Sequence, residues 1–576
     1  MSWNLQKEVR KILAAEVGTE IFAPGSRTPV AFLYPNTYHL GMSNLGLHIL
    51  YRILNRKGWA CERFFLPDAR TLPEYAKTKT PLFSMENQRP LADFPYICVT
   101  LSFEMDYVNF ITALSMGHCK LLAEERGERD PFVILGGPCA TFNPEPVADF
   151  ADLVIIGEGE ETLPRLLEKL ESLRLRKKSR QERLLAAAQL PGVYVPGFYR
   201  PLYEADGEFS GLERRENVPE TVRRQWVKEL DAFPHTSAIL SPYTEFANMF
   251  LVEVARGCGR HCRFCMAGYC FRKPRNRQIQ SLLRDIRQRP EQTARVGLMG
   301  AAVSDYPEIR ALAEVLTEEK IPFSCASLRA DTLDLPLTEA LAESGQQTMT
   351  VAPEAGSPKL RASVNKGITE EHIYRAMEYA ARVGMPHVKL YFMVGLPGET
   401  EEDVEEIIQL VRRVRLRMDA LGHRGELTLS VNAFVPKPFT PYQWSPLLDM
   451  KELKQRMKQL QNGLKKERKV RLLTESLKET LWQAALARGD RRLSAVLLAA
   501  VREQLNLKEA FRRTGIDPEM VACRGFAITA SLPWEHLDMG VSKGYLLQER
   551  QRSFAGKFTP ACFDGCTRCG VCEKKN

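Results

Sequence analysis

The 576-residue chain has no run of roughly 18 apolar residues, the length a membrane-spanning helix needs. No membrane segment is therefore expected. The first residues, MSWNLQKEVRKILAAEVG, lack an apolar stretch ending in a small-residue cleavage site. They read as an ordinary amphipathic helix. These two absences point to a cytoplasmic protein. A repeated unit is also missing from the connecting stretch LPGVYVPGFYRPLYEADGEFSG.

Cysteine is plentiful, with 14 in the chain. In a reducing cytoplasm, clustered cysteines are more often metal ligands than disulfides. Two clusters stand out: Cys258, Cys262 and Cys265, with Cys270 nearby, and Cys562, Cys566, Cys569 and Cys572. Cys61, Cys98, Cys119, Cys139, Cys325 and Cys523 are scattered, and each is expected to be a small buried hydrophobe. Net charge is +9 overall but unevenly spread. Residues 451–576 hold 25 Lys and Arg against 14 Asp and Glu, which leaves the preceding 450 residues slightly acidic. Such a segment suits a polyanion such as RNA. The alternative is a solvated helix face, because KELKQRMKQLQNGLKKERKVR has a helical pattern rich in lysine.

With 44% hydrophobic residues the chain can build about three domains. Strand-like runs such as VAFL, YICVTL, FVIL and LVII alternate with helical segments through about residue 185. That alternation predicts a doubly wound, Rossmann-like parallel sheet over 1–185. Residues 186–245 read as a connector. From Phe250 the alternation resumes with FLVEVA, RVGLMG, FSCASL, TMTVAP, HVKLYFMVG and TLSVNAFVP. Six strand–helix units predict a partial (β/α)6 barrel over 246–446, with functional loops at the strand carboxyl ends. Residues 447–576 read as a mainly helical, basic region with a Cys-rich tail.

The loop RGCGRHCRFCMAG sets three thiols three and then two residues apart. An odd number of thiols does not pair off. Three thiolates suit three corners of a [4Fe–4S] cluster whose fourth iron stays open. Zinc would want a fourth protein ligand, and His261 or Cys270 keeps that alternative in play at this stage.

CGRHCRFC resembles the C-x-x-x-C-x-aromatic-C loop of the radical S-adenosylmethionine (SAM) superfamily, with Phe264 as the aromatic residue. GLMGAAVSDYP, SLRAD, APEAGSPKLRASVNKG and VKLYFMVGLPGETEED resemble, in order, that family's SAM-contacting loops. The resemblance implies that Cys258, Cys262 and Cys265 ligate the cluster and that SAM chelates its open iron. Reductive cleavage would give a 5′-deoxyadenosyl radical that abstracts hydrogen, with electrons from a donor such as flavodoxin or ferredoxin. It also implies SAM contacts from Met299 and Gly300, Ser327 and Arg329, Glu354 and Ser357, and Gly395 and Gly398. Strand-end hydrogen bonding, helix capping or tight turns would explain the same residues without SAM.

ILGGPCATFNPEPV and IIGEGEETL in the first domain resemble the cobalamin-binding domains of this class. The resemblance implies that Ser102, Gly136, Gly137, Gly157 and Gly159 border a corrin or its nucleotide tail. The family's D-x-H-x-x-G pattern is broken: Thr37 replaces the acid and Met42 the glycine around His39, which is not expected to be a ligand. The methylthiotransferases also pair an α/β domain with this barrel, but the flanks of Cys61, Cys98 and Cys139 do not match their pattern.

The tail cysteines are expected to hold zinc or a second iron–sulfur cluster. The segment carrying Trp534, His536, Asp538, Gly540, Val541 and Lys543, together with this tail, resembles a fused group of radical SAM proteins. The leading expectation is methyl transfer or rearrangement at an unactivated carbon of an unknown substrate. One alternative is an RNA-modifying radical SAM enzyme with a structural first domain. The other is a non-enzymatic, metal-stabilised RNA-binding factor.

Overall fold

The computed structural model describes residues 2–326 and 328–572. Its first sheet contains β1 (Pro29–Thr37), β2 (Ala60–Leu66), β3 (Tyr96–Thr100), β4 (Phe132–Gly136), β5 (Leu153–Ile155) and β6 (Val193–Tyr194). Their spatial order is β2-β1-β3-β4-β5-β6, parallel except for the last strand. Residues such as Val30–Leu33 are buried on both faces because helices cover the sheet on each side. One of these helices, Leu45–Arg56, starts where the Asn44 side chain accepts the Leu47 N–H. The order reverses between β1 and β3. Open sheets of this kind bind ligands beyond the strand carboxyl ends at such a reversal.

The second body is a parallel barrel in two arcs. One contains β7 (Met249–Glu253), β8 (Arg295–Met299) and β9 (Phe323–Cys325). The other contains β10 (Thr348–Glu354), β11 (His387–Val394), β12 (Leu427–Ala433) and β13 (Val470–Thr474). A parallel bridge between Leu328 and Val351 joins the arcs. Along β10, β11 and β12 burial alternates residue by residue. Met349, Val351, Leu390, Phe392, Leu429 and Val431 pack beneath the outer helices. The alternate positions carry Thr, Lys, Tyr, Ser and Asn and are only half-buried, so the lumen is polar.

The barrel therefore has seven strands and extends past residue 446. The basic segment expected as a separate module supplies its helix Met450–Leu464 and the strand β13. Leu453, Met457, Leu460 and Leu464 recur at helical spacing and bury against the barrel. Most of the basic side chains of this helix form its solvent face, as the lysine-rich helical pattern allowed.

The 186–245 stretch is likewise structured. It contributes β6, the hairpin Tyr199–Tyr203 with Phe209–Arg214, and Val222–Arg223, which pairs with Leu537–Asp538 near the C-terminus. The helices Leu477–Arg488 and Leu493–Arg502 share the core of the first domain. Asn143 donates to the carbonyls of Ala487 and Gly489 at 3.0 and 2.9 Å, and Arg491 pairs with buried Glu145 at 3.0 Å. Among the described residues no helix is long and apolar enough to cross a membrane.

Candidate active site

The loop after β7 carries Cys258, Cys262 and Cys265, with Cys262 almost fully buried. Burial, together with the neighbouring Cys262 thiol, raises the Cys265 thiol to about 11. Burial and Cys262 also push Cys258 up, partly offset by the Arg260 backbone N–H. Cys262 thus lies close enough to Cys258 and Cys265 to oppose their ionisation, and a bound cation would reverse that penalty. Among the described residues no three His, Cys, Asp or Glu side chains form a group suited to one metal ion. Three thiols on one loop, with His261 and Cys270 engaged elsewhere, are a donor set that a [4Fe–4S] cluster can take at three of its corners. His261 is engaged with Arg272 and Tyr545, and burial holds its imidazole down to about 3. Cys270 is fully buried in the core of the first domain.

Charged groups ring the loop. Arg260 bridges Asp305 at 2.9 Å and Asp331 at 3.2 Å. Arg329 pairs with Asp331 at 2.9 Å, donates to the Lys366 carbonyl at 2.8 Å and approaches the Cys262 sulfur at 4.0 Å. Lys366 binds Glu354 at 2.8 Å and lies over the Phe264 ring. The Glu354 backbone is left-handed, with φ +71°. Such a conformation in a non-glycine residue costs on the order of 1–3 kcal/mol and concentrates at functional sites. Lys366, Arg260, Asp305 and Asp331 were not singled out from sequence, although Lys366 stands within the SVNKG segment.

Two cavities adjoin here. The first, about 500 Å³, lies between the carboxyl ends of the first sheet and those of β7 and β8. Ser102, Gly136, Gly137, Gly157, Gly159, Met299 and Gly300 all line it. The second, about 710 Å³, is lined by Phe264 and Glu354 and by polar lumen residues such as Tyr391 and Asn432. Ser102 and Pro138 belong to both walls. Lys437 of the barrel pairs with buried Glu104 of the first domain in the wall of the second cavity.

The residues expected to contact SAM are therefore divided: Met299 and Gly300 face one cavity, Phe264 and Glu354 the other. Ser357 caps the helix Pro358–Ser363 and donates to Asp403, which accounts for its burial. Gly395 and Gly398 line neither cavity. Both are left-handed, with φ +89° and +82°, and the Gly395 N–H is held by the Glu399 carboxylate at 2.8 Å. Ser327 lies outside the described residues. Two of the cobalamin-associated glycines have a closer reason to be glycine. A Cβ at Gly157 would fall 2.0 Å from the Gln225 carbonyl oxygen, and one at Gly137 would fall 2.7 Å from that of Leu101. Gly136 is open to the cavity. His39 is exposed, with its ring against the Tyr243 carbonyl, and lines neither cavity.

Residues 252–411 match the radical SAM superfamily, and residues 46–196 match the N-terminal region of radical SAM proteins. An uncharacterized protein of Methanocaldococcus jannaschii, MJ0966, is 31% identical over 81% of this chain and 90% of its own length. The chain belongs to the radical SAM superfamily. It is a radical SAM enzyme, which sets aside the non-enzymatic RNA-binding factor. An uncharacterized methyltransferase of Pyrococcus horikoshii, PH0819, is 26% identical over 49% of the chain and 58% of its own length. A solved structure of the cobalamin-dependent S-adenosylmethionine radical enzyme OxsB with aqua-cobalamin bound aligns with a TM-score of 0.46. Its identity is 15%, covering 82% of this chain and 66% of that one. Enzymes of the superfamily use a [4Fe–4S] cluster and SAM, and they need a reductant.

Proposed function

We propose that Cys258, Cys262 and Cys265 hold the [4Fe–4S] cluster, that SAM lies toward Phe264, Glu354 and Arg329, and that the cleft beneath the first sheet takes cobalamin. The reaction is methyl transfer or rearrangement at an unactivated carbon. The observation that carries this reading is the meeting of two sets of strand carboxyl ends across a pair of adjoining cavities. Both folds present ligand sites at that end. The cluster and SAM, when bound, supply the radical chemistry.

The protein's own residues do the positioning. Lys366 and Arg329 stand beside the cysteine loop, each held in place by a carboxylate, Glu354 and Asp331, and offer N–H donors to a polar ligand there. Leu45, Ile49, Leu50 and Leu163 give the first cavity an apolar wall, suited to the face of a large ring ligand. The lining of that cavity contains no histidine, so a bound corrin would receive no imidazole from it. Gly136 leaves room at the end of β4 for a flat ring edge. The RNA-modifying reading stays second: the helix Met450–Leu464 belongs to the barrel and turns its basic face to solvent, a pattern that any solvated helix face explains as well.

The test is anaerobic purification, incubation with hydroxocobalamin, removal of free ligand and a visible spectrum, alongside an assay for 5′-deoxyadenosine. About one corrin per chain supports the reading. A chain that cleaves SAM but retains no corrin makes the first domain a scaffold and overturns the cobalamin assignment.

A further inference from the structure

The C-terminal cysteines do not stand apart from the barrel. The Cys562 N–H donates to the Gly259 carbonyl at 2.8 Å, inside the first cysteine loop. Arg272, almost fully buried, donates to the Cys562 sulfur at 3.1 Å and to the Arg260 carbonyl at 3.0 Å. Upstream, the Asn365 side chain accepts the Thr559 N–H at 2.8 Å, and Arg263 donates to the Lys557 carbonyl at 2.7 Å. On its other side, the Ser542 N–H donates to the Cys569 carbonyl at 3.0 Å. The tail is therefore held at Cys562 against the loop of the first site and at Cys569 against the start of the helix Lys543–Phe554.

Cys562, Cys566, Cys569 and Cys572 all line one cavity of about 1020 Å³. Five basic side chains line it too, against a single acid, Asp564. Arg568 donates to the Cys566 sulfur at 3.2 Å. Arg224 is nearly fully buried in the wall, and its Nε and Nη1 atoms have no hydrogen-bond partner. Those two atoms are closed off from the cavity, but a guanidinium in its wall whose hydrogen bond goes to the Arg272 carbonyl still favours an anion there. Four thiolates around a metal core form such an anion, and N–H groups directed at their sulfurs stabilise it.

We propose that Cys562, Cys566, Cys569 and Cys572 bind a second iron–sulfur cluster in this basic cavity, beside the first cysteine loop. The spacing favours a cluster over one zinc ion. Zinc sites commonly draw their ligand pairs from separated segments that close a small tetrahedron. Here the run C-x3-C-x2-C-x2-C is continuous, and C-x2-C-x2-C is the pattern that wraps a cubane in ferredoxin-type loops. Left-handed Gly565 and Gly570, with φ +83° and +91°, let the short loop turn back on itself. The site's own geometry does not depend on the reading of Cys258, Cys262 and Cys265; only the division of the iron between two sites does.

The experiment reconstitutes the full-length protein anaerobically with ferrous iron and sulfide, then measures iron, sulfide and zinc per chain and the EPR of the dithionite-reduced sample. The wild type should carry about eight irons, and the C258A/C262A/C265A variant about four with one reducible cluster signal. The C562A/C566A/C569A/C572A variant should also carry about four and retain the other signal. The triple variant leaves the tail intact, so the test does not depend on the quadruple variant folding. About one zinc in place of the tail iron, or a triple variant with no bound iron, overturns the proposal. Wild type and triple variant with the same four irons, all lost from the quadruple variant, would instead support the tail site and refute the assignment of the first loop.

Discussion

Replacing Arg263 with methionine tests what fastens the tail to the barrel. Arg263 lies between Cys262 and Phe264 and is fully buried. It pairs with Glu549 at 3.1 Å and donates to the carbonyls of Ser363 at 2.6 Å and Lys557 at 2.7 Å. Glu549 is equally buried, and its other hydrogen-bond partner is Thr559. Removing one partner of a buried pair costs about 3–5 kcal/mol when the remaining charge is uncompensated; Arg552, 3.6 Å from Glu549, offsets part of that, so about 3–4 kcal/mol is expected here. The loss should fall on the helix Lys543–Phe554 and the tail rather than on the first sheet. Hydrogen exchange followed by mass spectrometry reads this directly. Protection in that helix should drop roughly 10²- to 10³-fold, at about 1.4 kcal/mol per tenfold, with the peptides of β1 and β3 unchanged. The R263M/E549L double variant removes both charges and should recover most of the loss. A single-variant drop under about threefold, or a double variant no better than the single, refutes the argument that this pair holds the tail.

Three further outcomes follow from the structure. Changing Cys258, Cys262 or Cys265 singly to alanine should reduce 5′-deoxyadenosine formation to background, measured by liquid chromatography; retained formation would remove that cysteine from the ligand set. Gly157→Ala should destabilise the first domain by about 2 kcal/mol or more, since φ is +111° and the new Cβ meets the Gln225 carbonyl oxygen; an unchanged melting temperature would refute this. Burial lifts Glu86 from its ordinary 4.5 to about 7, against the opposing pull of Arg63. Its stabilising contribution is therefore complete below pH 4.5 and lost as pH rises toward 7, because the folded state holds the proton more tightly. The wild-type-minus-E86Q stability difference, measured by urea unfolding across that window, should fall with rising pH; a flat or rising difference would contradict it.

The superfamily was legible in sequence because its chemistry is local: a spacing of three and two residues puts the cysteines on one loop however the chain folds elsewhere. Alternating apolar runs likewise announced both parallel sheets, since buried parallel strands need continuous hydrophobic sequence. Other features depend on contacts between distant segments. VRLLT pairs as the seventh barrel strand only because β12 offers it an edge, and the lysine-rich helix before it hides four apolar residues behind its charges. Gly157 lines the first cavity, yet what requires a glycine there is the Gln225 carbonyl, which no sequence pattern announces. The hydroxyl of Ser357, expected near SAM, caps a helix and bonds Asp403, a structural role that only the fold reveals.

Sequence alone thus determined the kind of chemistry, through residue types at short fixed spacings, and the two-sheet architecture, through hydrophobic period. Only the tertiary structure decided what those pieces face. It divided the expected SAM contacts between two adjoining cavities. It surrounded Cys262 with Lys366 and Arg329, and it carried Cys562 some 300 residues along the chain to the Gly259 carbonyl. The physical reason is that burial and charge compensation are properties of space rather than of the chain: Arg272 has no sequence signature as a bridge until folding removes its water and leaves a sulfur as its partner.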